Sequence, residues 1–148
     1  MPQSIWLALP VVIAAGAAAT MQAPINSALG RVLDNTLAAA AFSFGTGFLV
    51  LICLTLVTSG PGFVPRLSNL SLWHLSGGAL GAFYVWAALW GVPILGVVTM
   101  VSALVFGQML IALLIDTFGP FGLPVRALSA QRLLAVVLVA AGLILSRF

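Results

Sequence analysis

Residues 94–115 read ILGVVTMVSALVFGQMLIALLI, Ile94 to Ile115 without one charged side chain. Its only hydrogen-bonding side chains are Thr99, Ser102 and Gln108. A helix of about 20 such residues spans a hydrocarbon core of about 30 Å. Only a structure that satisfies every backbone group internally is stable there, and a helix does so. This run fixes the class of the protein as an all-α integral membrane protein.

The same pattern recurs on both sides of it. Apolar runs predict five transmembrane helices in a single transmembrane domain over residues 1–148, at about Ser4–Leu29, Thr36–Thr58, Leu70–Trp90, Ile94–Ile115 and Ala130–Ser146. Gly30-Arg31 to Asn35 separates the first two, with Asp34 or Asn35 as the N-cap of the second. Ser59-Gly60-Pro61-Gly62 and Pro65-Arg66 end the second span. Gly91-Val92-Pro93 reads as a tight turn before the fourth, and Gly119-Pro120, Gly122 and Pro124 fill the last connection. There Phe118, Phe121 and Leu123 are placed to dip into the interface. Met1-Pro2-Gln3-Ser4 carries no Lys or Arg, which a signal peptide wants, so the first run is read as a true span despite the small residues at 14–19.

Composition agrees. Of 148 residues, 63% are hydrophobic and 5% charged, against roughly 25% charged in soluble domains, and the mean hydropathy is +1.27. A polar skin for a water-soluble fold is not available. The net charge of +3 comes from five scattered arginines, 31, 66, 126, 132 and 147, with no Lys and no Glu. None stands in a basic cluster with aromatic residues, which excludes nucleic acid as a partner. Single arginines between apolar runs mark span ends at the headgroups. Trp6, Trp73 and Trp90 fall at span ends, where an indole keeps its N–H in the headgroup layer; Trp86 reads as either belt or cavity wall. His74 reads as an interface residue. Cys53 has no partner for a disulfide, and no Cys/His spacing forms a metal site. No cofactor and no catalytic set is expected.

Five spans put the termini on opposite sides. Arg66, Arg126 and Arg132 lie on the N-terminal side, Arg31 and Arg147 on the other. An excess of one sets orientation weakly. Three arrangements stay open: one orientation fixed by other features, dual topology with an antiparallel homodimer, and pairing with a related five-helix partner.

Small residues form stripes at helical spacing, as helix association in lipid requires: Ala15, Ala18, Gln22 and Asn26; Ala39, Ser43 and Thr46; Gly77, Gly81, Tyr84 and Ala88; Ala103 and Gly107. Such stripes serve plain packing equally well. Polar residues at depth are more informative, because hydrocarbon leaves them unsatisfied. At 1.5 Å per residue, Ser43, Thr46, Tyr84 and Ser102 fall within roughly 8 Å of mid-membrane. Gln22 and Gln108 lie farther out, and Asn26 nears the interface. These seven are the candidate substrate-binding residues. The competing reading is local: hydroxyls bonding back to their own helix, and amides bonding across helices. Pro24 between Gln22 and Asn26 removes a helix hydrogen bond and frees a carbonyl, which membrane helices tolerate beside a cavity or neighbour. Asp116 stands at a helix C-terminus, unfavourably with the dipole. It calls for a partner, with Arg126 and Arg132 as candidates, either as a structural ion pair or as a coupling group.

Gln22-Ala-Pro-Ile-Asn26, the Gly78–Val85 stretch GALGAFYV, and Gly107-Gln108 followed by LIDTFGPFG over 114–122 resemble the short YdcZ-type inner-membrane exporters of the drug/metabolite transporter superfamily. The resemblance covers about residues 5–145. It departs at Thr117, where the family often has His after the Asp, so a proton role tied to that His does not carry over. The resemblance implies localisation in a bacterial inner membrane and a five-helix half-transporter. Longer members carry two such repeats in opposite orientation, and five being odd, fusing a duplicate inverts the second copy. Completed by an antiparallel dimer, the unit places a site near the midplane. The resemblance thus implies a secondary transporter exporting a small metabolite or lipophilic compound by alternating access. An accessory membrane subunit and a narrow channel are the alternatives. Related small multidrug exporters use a membrane-embedded Glu in their first helix; with no Glu here, that cation antiport mechanism does not transfer.

Overall fold

The computed structural model describes the chain from Gln3 to Phe148, and its side chains from Ala8 onward. Met1 and Pro2 of the N-terminal segment, and the side chain of Trp6, lie outside the described residues. The described chain is all helical. It holds α1 (Gln3–Val32), α2 (Thr36–Ser59), α3 (Ser76–Leu95), α4 (Val97–Phe118) and α5 (Ala130–Leu145), with 3-10 stretches at Gly60–Asn69, Leu72–Leu75 and Pro120–Gly122. Four helical segments are long and apolar enough to cross a membrane; Ala130–Leu145 is apolar but shorter. Its 16 residues reach about 24 Å.

The chain divides into two compact units, one ending at Ile94 and one spanning Leu95–Phe148. In the first, α1 and α2 form an antiparallel pair. Asn35 caps α2, its Oδ1 accepting from the N–H of Ala38 at 3.0 Å. Contrary to expectation, Gly30 and Arg31 do not break α1; the helix runs to Val32. Arg31 suits a last turn because it complements the dipole. Gly30 faces α2, where a Cβ would meet Thr36 in ordinary contact at 3.5 Å. The reversal falls instead on Asp34, at φ 49°, a conformation Asp tolerates better than most residues. The core of this unit is small: Ala39, Ala40, Val85 and Leu89, with Leu29, Tyr84 and Trp86 packed on it. Gly81 admits the Phe44 ring, which would lie 3.4 Å from an added Cβ.

Both ends of the third and fourth helices move. The helix expected from Leu70 begins at Ser76, after a 3-10 turn in which the Ser71 N–H donates to His74 Nδ1 at 3.0 Å. The expected turn at Gly91-Val92-Pro93 is absent, because α3 continues to Leu95. Proline near a helix end forfeits only one hydrogen bond, and a residue at positive φ is what commonly ends a helix. Gly96 supplies it, at φ 77°. Trp90 therefore lies inside α3 rather than closing it, stacked with Trp86 at 6.3 Å. The fourth helix likewise starts at Val97 instead of Ile94 and runs past Ile115 to Phe118, capped by Gly119 at φ 59°.

In the second unit α4 packs on α5. The Thr99 hydroxyl donates to the Ser146 carbonyl at 2.9 Å, tying the start of α4 to the end of α5. Ser129 caps α5 by accepting from the Arg132 N–H. Phe118, the last residue of α4, and Phe121 in the connection are exposed.

Candidate functional site: an amide-lined groove between α1 and α2

Gln22 and Asn26 are four residues apart and share one face of α1. Ser43 and Thr46 share a face of α2 by the same rule. The antiparallel pairing brings the two faces together. Ser43 Oγ accepts from Asn26 Nδ2 at 2.8 Å and from Gln22 Nε2 at 3.2 Å. A hydroxyl has two acceptor lone pairs and one proton, so Ser43 takes one N–H from each amide and its own proton remains free to donate. Asn26 is buried, Ser43 half-buried and Gln22 exposed. The four residues line a groove of about 500 Å³ together with Leu29 and Phe42. Thr46 spends its own proton on the Phe42 carbonyl, at 2.9 Å.

The groove carries amides, hydroxyls and apolar walls, with no ionisable side chain among its lining residues. Such a surface recognises a solute by hydrogen bonding and apolar contact, without charge pairing. Along the helices, Thr46 lies about 2 Å, and Ser43 and Gln22 about 7 Å, from their helix midpoints, at 1.5 Å per residue.

The other expected residues lie elsewhere. Tyr84 packs on the small core and does not line the groove. In the second unit, Ser102 donates back to the Val98 carbonyl at 2.9 Å. Gln108 is exposed and has no hydrogen bond to the described residues. The boundaries of α4 also revise its depth. Gln108 stands at the midpoint of the helix, and Ser102 about 8 Å from it, the reverse of the order expected.

Asp116 has two partners. Its carboxylate meets Arg132 Nη2 at 3.1 Å, and its carbonyl accepts from the Arg126 N–H at 2.7 Å. The pair borders a cavity of about 160 Å³ with Met109, Leu113 and Val136. Arg132 Nη1 is buried with no hydrogen-bond partner. No group of three or more metal-ligating side chains occurs among the described residues.

Sequence reasoning missed two features. Thr99, one of three hydrogen-bonding side chains in its run, ties α4 to α5, a long-range partner that no local spacing signals. Ser27 and Arg31 line a second cavity of about 480 Å³ where α1 meets α2, with Asp34 and Asn35. Their spacing of four was the available signal.

Comparison with known proteins places these features in a lineage. Residues 7–145 match the family model described as "Putative inner membrane exporter, YdcZ". The inner membrane protein YdcZ of Escherichia coli strain K12 is 29% identical over 148 residues, covering 99% of this chain and 98% of its own. No solved structure matches.

Proposed function

The chain belongs to the YdcZ family of inner-membrane exporters, and from that premise we propose that it is a secondary transporter. It moves a small metabolite or lipophilic compound outward by alternating access across an antiparallel dimer. The observation that carries the reading is Ser43 holding the amides of Gln22 and Asn26 beside an open groove. A mere interhelical tie needs one amide; here two converge, and one of them is exposed. Gln22, Asn26, Ser43 and Thr46 bind the solute at the groove, and Gln108 and Ser102 are assigned to the transport path in the second unit. Tyr84 supports the wall of α3 behind Ala39 and Ala40. With no ionisable group on the groove, a neutral or zwitterionic solute fits better than a bare cation. Asp116 acts as a structural ion pair with Arg132.

Two observations favour completion by a second copy. Gly45, Gly47, Gly77 and Gly78 in the first unit and Gly107 in the second have nothing within 4 Å of an added Cβ, and membrane helices use such small residues for close association. The arginine count of three against two permits both insertions. Inverted pairs of this kind build sites at their interface.

The test has two parts. A Cys53→Ala chain carrying one new cysteine in the Gly60–Gly62 loop is labelled in intact cells with an impermeant thiol reagent. Labelling near half of that in permeabilised cells is expected; labelling near none or near all refutes the homodimer. In liposomes the purified chain is expected to show saturable flux and counterflow, abolished by Gln108→Leu or Gln22→Leu at unchanged dimer yield. Non-saturable flux would mark a channel, and no flux an accessory subunit.

A further inference from the structure

The second cavity lies at the α1–α2 turn, where Leu89 and Pro93 of α3 also line it. It holds one cation and one anion, Arg31 and Asp34, that do not pair with each other; the ion pair among the described residues is Asp116–Arg132. Below them sits Ser27, 5% exposed. Several hydroxyls in these helices donate back to the carbonyl four residues earlier, as Thr20, Thr46 and Ser102 do. Ser27 does not. Its oxygen faces Arg31 Nη1 at a long 3.5 Å, and its proton has no acceptor. A buried hydroxyl normally finds a partner. The cavity therefore offers guanidinium and hydroxyl donors, a carboxylate acceptor and apolar walls.

We propose that this cavity binds a zwitterion made of an anionic oxygen group and a primary ammonium, with the phosphoethanolamine headgroup as its type ligand. The phosphate takes the Arg31 fork and the Ser27 proton, a pairing whose geometry suits guanidinium. The ammonium donates to the Asp34 carboxylate. The position matches the headgroup layer, since Arg31 ends α1 and Asp34 precedes α2. A quaternary ammonium has no N–H to give Asp34, and an uncharged glycerol headgroup has no cation for it. The site thus distinguishes ethanolamine from choline and glycerol. It does not rest on the transport reading, because its residues are separate from the groove.

The full chain is purified in detergent with equal amounts of phosphatidylethanolamine, phosphatidylcholine and phosphatidylglycerol of the same acyl chains, and retained lipid is counted by native mass spectrometry. Ethanolamine lipid is expected to exceed choline lipid by about tenfold, the ratio one charge-assisted hydrogen bond supplies. Asp34→Asn, which keeps a side chain tolerant of positive φ, is expected to erase that preference. Arg31→Gln and Ser27→Ala are expected to lower retention of the ethanolamine lipid. Equal retention of ethanolamine and choline lipids by the native chain, or an unchanged preference in a folded Asp34→Asn chain, overturns the proposal. Free phosphoethanolamine added to the loaded protein separates the sources. Displacement assigns the site to a soluble zwitterion, and persistence of the bound lipid assigns it to the membrane, the Arg31–Asp34 chemistry standing in both.

Discussion

Arg132 and Asp116 face each other at 3.1 Å, each at the wrong end of its helix. Asp116 lies in the last turn of α4, where the dipole disfavours an anion, and Arg132 in the first turn of α5, where it disfavours a cation. Pairing offsets both. Removing Asp116 leaves both terminal nitrogens of Arg132 without a partner, since Nη1 already has none. Asp116→Asn and Arg132→Gln are each expected to lower the thermal midpoint in detergent. The double variant is expected to lose less than the two losses added, by about 1 kcal/mol, a figure kept small because both side chains are partly exposed. Strict additivity would show that the pair contributes nothing. Loss of flux in Asp116→Asn at unchanged stability would instead make the carboxylate a coupling group.

Ser43→Ala leaves two amides without their acceptor. Asn26 is 6% exposed and has little access to water; Gln22 is exposed and recovers partners easily. The cost therefore falls on Asn26, at about 1 kcal/mol, within the range for interhelical hydrogen bonds in membranes. Ser43→Thr keeps the oxygen and is expected to restore most of it. Equal stability of the alanine and native chains, measured by detergent unfolding, would remove Ser43 from its bridging role.

Gly119→Ala is expected to be the most damaging single methyl addition. The residue is left-handed at φ 59°, and a Cβ would lie 2.8 Å from the Leu123 carbonyl and 2.7 Å from Val125 Cγ2. The backbone conformation alone costs roughly 1–2 kcal/mol, and the carbonyl cannot move aside as a side chain does. Gly30→Ala is the control: its Cβ meets ordinary contacts at 3.5 Å and beyond. Comparable melting of both variants would contradict this account of the α4 terminus.

What the sequence made legible follows from which signals are local. Span 2 was readable to one residue, because Asn35 supplies a cap and Gly60-Pro61 a stop within a few positions. The convergence of Gln22 and Asn26 was readable as a face, but their partner was not, since Ser43 enters through helix pairing. The α3–α4 junction misleads because two glycines and a proline lie within six residues. Only the backbone decides that Gly91 stays helical and buried while Gly96 turns at positive φ. That shift of three residues is what carries Gln108 to the middle of its helix.

α5 is short for a membrane span, at about 24 Å against a hydrocarbon core of about 30 Å. A short helix adapts by thinning the bilayer or by anchoring its ends. Its C-terminus is anchored by the buried Thr99, whose hydroxyl donates to the Ser146 carbonyl. That carbonyl has no intrahelical partner, as for any helix end. Thr99→Val keeps the shape and removes the donor. The last turn of α5 is then expected to fray, with faster amide exchange at Ser146, whose N–H bonds the Gly142 carbonyl, while exchange in the middle of α4 stays unchanged. Thr99→Ser, which retains the hydroxyl, is expected to exchange as the native chain does. Unchanged exchange at Ser146 in the valine variant would mean that packing alone, without the hydrogen bond, holds the short helix in place.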